Sequence, residues 1–316
     1  MSTQHLLHPE LHPILKAVPP FQFRRDNLEN FRNARASAAV LGDAGAAGVR
    51  REEVIIRSNS AIGGSYAMSC LLYVPEQSGT TGAYLHIHGG GYIGGRKEYS
   101  DPMNTRIAAT LGVTVLAVGY RLAPEHPVPA PLDDCYSALA WLHTQAAQLG
   151  IDPARIAIGG ESAGGGLAAA LAIRVRDEGT YPVCHQHLTY PMLDDRTGTP
   201  EHFGDPLVGE FVWNRQSNRF GWSCYLGEHP AQAPYVPARV AQVDGLPSTW
   251  MFTVSLDLFR DENIEYAQRL LAAGIDTELV VMPGACHGFQ LLPNTSFSKR
   301  YADTHLEALG RALNKN

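Results

Sequence analysis

The chain has 316 residues, 45% hydrophobic and 18% charged, enough to bury one large core with at most a small cap beside it. Its net charge of −6 comes without a basic run or a basic-aromatic pattern, which argues against a nucleic-acid partner. Residues 1–16 hold no apolar stretch of leader length, and no window approaches the roughly 20 apolar residues of a membrane helix, so a cytoplasmic protein with no membrane partner is expected.

Residues 1–45 are punctuated by proline, carry Phe21, Phe23 and Phe31, and have little strand character. They read as an N-terminal cap segment ahead of the main domain over 46–316. Strand-like runs follow at 53–57, 67–74, 83–88, 114–119, 155–159, 187–190, 249–254 and 278–282. Helical patterns lie at 101–111, 132–149, 162–177, 260–273 and 298–313. Strands alternating with helices of this length predict an α/β fold with an eight-stranded, mostly parallel sheet covered on both faces. A second stretch, about 195–240, breaks the alternation with Phe203, Phe211, Trp213, Phe220, Trp222 and Tyr225, and reads as a cap insertion above the carboxyl ends of the strands, where such sheets bind ligands. Its aromatics either line a pocket or fill the cap's own small core.

In chain order, the first chemical signal is His88-Gly89-Gly90-Gly91 after the third strand. A glycine run there lets backbone amides face an open site, and fixed amides aimed at a tetrahedral oxyanion contribute about 3 kcal/mol each. The amides of Gly90, Gly91 and Ala163 are the candidate donors, the last aided by the polarity of a helix start. Gly89-x-Gly91-x-x-Gly94 also satisfies a dinucleotide fingerprint, but the next strand runs into Tyr120-Arg121 with no carboxylate for a ribose. Gly90-x-x-x-x-Gly95-Arg96 likewise lacks the lysine of a phosphate-binding loop, so no cofactor is expected.

The second signal is Gly160-Glu161-Ser162-Ala163-Gly164, between a short buried strand and an alanine-rich helix. Ser162 falls on the junction, a strained bend that presents its hydroxyl at the carboxyl end of the sheet, with small residues needed on either side. On this bend Glu161 points away from Ser162 and serves in hydrogen bonding beneath it. The third signal is His287, in the loop between the last strand and the last helix, where the chain order serine, acid, histidine puts a base. The acid belongs after the preceding strand, among Asp257, Asp261 and Glu262. Asp257 stands nearest the strand end, while the other two resemble first-turn acids of the following helix. The cysteines Cys70, Cys135, Cys184, Cys224 and Cys286 are odd in number, widely spaced and without a Cys-x-x-Cys pair, so they read as reduced, packed thiols with no metal site. Asn294-Thr295-Ser296 matches a glycosylation sequon that has no meaning without secretion.

These residues resemble the hormone-sensitive-lipase-like family of α/β-hydrolase carboxylesterases. The resemblance rests on His88-Gly89-Gly90-Gly91-Tyr92, on Tyr120-Arg121-Leu122-Ala123-Pro124-Glu125-His126-Pro127, on Gly160-Glu161-Ser162-Ala163-Gly164-Gly165 and on Asp257-Leu258-Phe259-Arg260-Asp261-Glu262, and covers roughly residues 60–312. It implies a triad of Ser162, Asp257 and His287, oxyanion donors at Gly90, Gly91 and Ala163, a cap with an N-terminal component, short- to medium-chain esters as substrates, and a homodimer as a common assembly. The chain departs from the family at Glu161, where aspartate is common, and at Leu258, where proline is. The expected activity is serine carboxylesterase. An amidase or peptidase with the same triad, and a non-catalytic small-molecule receptor on the same fold, are the rival readings.

Overall fold

The structure, a computed structural model, describes residues 2–18, 22–36, 48–60, 64–76 and 81–314. Phe21 and the expected boundary near residue 45 lie outside them. Two short helices, α1 (Ile14–Ala17) and α2 (Leu28–Ala36), precede the sheet. The strands β1 (Val49–Ser60), β2 (Gly64–Pro75), β3 (Thr81–Ile87), β4 (Thr114–Val118), β5 (Ile151–Glu161), β6 (His185–Thr189), β7 (Ser248–Val254) and β8 (Thr277–Met282) form one sheet in the order β1-β2-β4-β3-β5-β6-β7-β8. β1 and β2 make an antiparallel hairpin, β2 runs antiparallel to β4, and every pairing from β4 across to β8 is parallel. The carboxyl ends of β3 to β8 therefore all point one way.

The helices α3 (Asp101–Leu111), α4 (Ala130–Leu149), α5 (Ala163–Glu178), α7 (Arg260–Ala272) and α8 (Ser296–Leu313) cover the sheet. Alternation along the strands sorts the side chains to two faces. Leu85, Ile158, Leu188 and Met251 join the core built with α4, α5 and α7, whereas Tyr84, Ala157, Trp250 and Phe252 pack toward α3 and α8. Between β6 and β7 lies α6 (Arg215–Leu226), a helix the sequence pattern does not announce. Asn214 caps it, its side chain accepting from Ser217 N at 3.0 Å. No helix among the described residues is long and apolar enough to cross a membrane.

Candidate active site

Three parallel strands deliver the site. Ser162 follows β5 directly, Asp257 lies in the loop after β7, and His287 in the loop after β8. The elbow is as tight as its glycines imply: Ser162 sits at φ +56°, ψ −121°, a conformation side chains adopt only under strain. What the flanking glycines avoid is the end of β3. A Cβ on either Gly160 or Gly164 would lie 2.0 Å from the Ile87 carbonyl oxygen. The serine backbone is fixed by its N–H to Thr189 O at 2.9 Å and by its carbonyl, which accepts from Met192 N at 3.0 Å.

Asp257 is fully buried. Its Oδ2 accepts from His287 Nδ1 at 2.7 Å and its Oδ1 from Phe259 N at 2.9 Å, which orients the carboxylate. Of the acids weighed from sequence, Asp257 is the one that holds His287. Asp261 instead pairs with Arg260 at the surface. Glu262 is not a solvated first-turn acid: it is buried, accepts from Leu193 N at 2.7 Å and takes a hydrogen bond from Thr197. Burial outweighs those hydrogen bonds and raises its pKa well above the usual carboxyl value.

The imidazole of His287 is packed by Tyr190 at 4.4 Å between centroids, Phe259 at 5.4 Å and Trp213 at 6.5 Å. Tyr190, whose ring packs on His287, directly follows Thr189, whose carbonyl accepts from Ser162 N. Among the described residues no hydrogen bond closes between Ser162 Oγ and His287; in unliganded sites such bonds are often long and tighten with substrate.

The glycine turn completes the arrangement. Gly90 and Gly91 take φ +132° and +62°, and a Cβ on neighbouring Gly89 would lie 3.3 Å from Ser162 Cβ. Outside regular helix and strand pairing, the amides of Gly90, Gly91 and Ala163 donate to no acceptor among the described residues. His88, at the start of the turn, donates from Nδ1 to Gly89 O at 2.9 Å and stacks on Tyr120 at 4.2 Å; burial pushes its pKa down to about 4, so it stays neutral. No helix opens at Gly89–Gly94, since α3 starts at Asp101, and the dinucleotide reading falls. Beneath the elbow, Glu161 meets His86 Nε2 at 3.0 Å, and His86 Nδ1 meets Asn104 at 3.2 Å. Burial acts to raise the Glu161 pKa, but His86 and then His305 outweigh it and hold the carboxyl below its usual value.

A family profile described as the α/β hydrolase fold matches residues 84–291. The chain belongs to the hormone-sensitive-lipase-like α/β-hydrolase family. Carboxylesterase NlhH of Mycobacterium tuberculosis is 35% identical to this chain over 208 residues, and the match spans 65% of each chain. Among solved structures, a bacterial heroin esterase superposes with a TM-score of 0.90 at 38% identity, covering 99% of this chain and 100% of that one. Esterase LipW from Mycobacterium marinum gives 0.87 at 32% identity, with 98% and 96% covered.

Around the candidate triad stand residues the sequence could not place. Trp213 was visible only as one of several insertion aromatics, yet its ring lies against Gly91, where an added Cβ would meet Cη2 at 2.2 Å. Its indole N–H donates to Asn218 Oδ1 at 3.1 Å, and Asn218 Nδ2 donates to Thr197 O at 2.8 Å. Leu258, at the family departure, is buried against Gly209, and the motif residue Arg121 forms a buried bidentate pair with Asp134 at 2.7 and 2.9 Å. The five cysteines form no disulfide; burial pushes the Cys286 thiol, beside His287, up to about 12, which leaves it unreactive. Among the described residues no cluster of His, Cys, Asp and Glu could hold a metal ion.

Proposed function

We propose that the chain is a serine carboxylesterase acting on short- to medium-chain esters through an acyl-enzyme. The observation that carries this reading is the buried 2.7 Å bond from His287 Nδ1 to Asp257 Oδ2, with an elbow serine and a glycine turn in which the Gly90 and Gly91 amides find no acceptor among the described residues. In it, His287 Nε2 takes the Ser162 proton as Oγ attacks the ester carbonyl, and Asp257 fixes the tautomer and stabilises the imidazolium. The amides of Gly90, Gly91 and Ala163 receive the oxyanion. His287 then protonates the leaving alcohol, and water, activated by the same ring, releases the acid. The names of the relatives, a carboxylesterase and two esterases, support ester hydrolysis over its rivals. The aromatic rings of Tyr190, Trp213 and Phe259 about the imidazole favour compact acyl groups. Free cysteines suit a cytoplasmic setting.

Hydrolysis of p-nitrophenyl esters of increasing acyl length tests this reading. Ser162→Ala and His287→Ala are each expected to lose activity by roughly a thousandfold or more, with rates in the wild type falling beyond medium chains. Wild-type-like turnover in either variant would end the proposal.

A further inference from the structure

Two consecutive side chains of α2 grip the glycine turn from outside. The Phe31 ring lies on Gly94, where an added Cβ would come within 2.8 Å of Phe31 Cε1. Arg32 spreads its guanidinium over three acceptors. Nε donates to Ile93 O at 2.7 Å, Nη2 to Ala123 O at 2.8 Å, and Nη1 and Nη2 to the Glu125 carboxylate, both at 2.9 Å. Ile93 and Gly94 are the residues that close the turn, donating to Gly90 O at 3.2 and 2.9 Å, and Ala123 N donates to Tyr92 O at 3.0 Å. The fork of one guanidinium thus ties the returning leg of the turn to the segment beside it.

The ion pair is not the part of this arrangement that matters most. Glu125 is 54% exposed, so the pair itself contributes little. The two carbonyl bonds are partly buried and run to Ile93, within the turn, and to Ala123, whose amide is bonded to Tyr92 O of the turn. Amides stabilise an oxyanion in proportion to how well they are aimed before the reaction, and a shift well under an ångström weakens them. A lysine, with one compact charge, has no planar fork to span two carbonyls.

We infer that Arg32 is a positioning residue: from the N-terminal segment it holds the Gly90–Gly94 turn in the geometry that receives the oxyanion. The inference rests on the esterase reading above. It makes α2 part of the apparatus that shapes the oxyanion site, acting through the backbone of the turn.

The test uses the full chain as wild type, Arg32→Ala, Arg32→Lys and Glu125→Gln. Active sites are titrated by the p-nitrophenol burst from diethyl p-nitrophenyl phosphate, and kcat and KM for p-nitrophenyl butyrate are expressed per titrated site. The inhibition constant of an alkyl trifluoromethyl ketone, whose serine adduct places an oxyanion at the same amides, is measured alongside. For Arg32→Ala, kcat is expected to fall and the inhibition constant to rise, each roughly tenfold, with KM within about twofold. Arg32→Lys should behave like the alanine variant, and Glu125→Gln, which keeps both carbonyl bonds, like the wild type. A purely structural role would lower the number of titrated sites or the melting temperature and leave kcat per site and the inhibition constant unchanged. That result overturns the inference, as does a loss in Glu125→Gln as deep as in Arg32→Ala. If Arg32→Ala does not fold, Arg32→Lys and Arg32→Gln decide by the same two readouts. Absence of ester hydrolysis in the wild type would instead defeat the esterase reading itself.

Discussion

At the scale of single residues, the site is held by side chains that must bury in two separate places. Phe211 belongs to the core around Tyr190 and Phe289, and Trp213 to the core that includes Phe23 and Tyr92. Val212 between them turns to φ +62°, with Trp213 N bonded to Phe211 O at 2.7 Å, so three residues reverse the chain. A β-branched side chain at such an angle is strained, of order 1–3 kcal/mol, and the burial of the two flanking aromatics offsets it. The consequence is that the Trp213 ring is set against Gly91. Gly91→Ala is therefore expected to cut kcat/KM on the order of a hundredfold, by forcing the indole and the turn apart at a positive-φ position. Trp213→Ala should restore part of that loss in the double variant, with a coupling of about 1–2 kcal/mol in a double-mutant cycle. Strictly additive losses would separate the ring from the turn and refute the contact as the cause.

At the scale of elements, α7 is tied to the loop that leads into α6. The Glu262 carboxyl, in the first turn of α7, satisfies the amides of Leu193 and Asp194, at 2.7 and 3.3 Å, and meets the Thr197 hydroxyl. Thr197 O in turn accepts from Asn218, the anchor of Trp213. Glu262→Ala strands buried donors and is expected to destabilise by about 2–3 kcal/mol. Glu262→Gln keeps an acceptor for the two amides and a donor for Thr197, and should stay within about 1 kcal/mol of the wild type in urea unfolding. An alanine variant as stable as the glutamine one would remove this carboxyl from the framework.

That tie was illegible in the sequence, where Glu262 looks like an ordinary helix-start acid. The strands and the long helices were legible because alternation and helical periodicity are local properties: α3 follows its predicted span, and the parallel strands shift by only a few residues. β1 runs well beyond its apolar run because Arg50, Arg51 and Glu52 pair with β2 through backbone, which a search for apolar residues overlooks. α6 escaped because Phe220, Gly221, Trp222 and Tyr225 have weak helix propensity; packing decides there, with Gly221 pressed against Gly91 O. The candidate triad positions were readable since each follows a strand end. Arg32 and Asn218 were not, because nothing in the local sequence of an arginine or asparagine tells which distant carbonyl it will meet.

At the scale of the whole molecule, the face of the sheet under α3 and α8 buries His187 and His305, and Glu161 acts on His305 too weakly to offset its burial. His187 Nε2 and His305 Nδ1 share a hydrogen bond at 3.1 Å, and His185 Nε2 meets His187 Nδ1 at 3.3 Å. Burial pushes His305 down to about 4 and His187 well below its usual value, as it does His88 in the glycine turn. A histidine whose folded pKa lies below its unfolded value of 6.5 binds fewer protons folded than unfolded between the two, so stability is full above 6.5 and falls toward 4. By pH 5 a ring held at about 4, as His305 and His88 are, contributes a loss of roughly 2 kcal/mol. Glu262 acts the other way, since a carboxyl raised by burial is more favourable protonated, and Glu161, held low, adds its own loss at still lower pH. The histidines outnumber the opposing carboxyl, so the urea midpoint should drop clearly from pH 7.5 to pH 5. Three variants apportion the drop: His305→Gln, which keeps a polar partner for His187 but cannot titrate, should shrink it; Glu262→Gln, which removes the opposing group, should deepen it; and Asp261→Asn, on an exposed carboxylate, should leave it alone. An unchanged midpoint between the two pH values, or an undiminished drop in His305→Gln, would mean that these rings take up protons in the folded state as readily as in the unfolded chain.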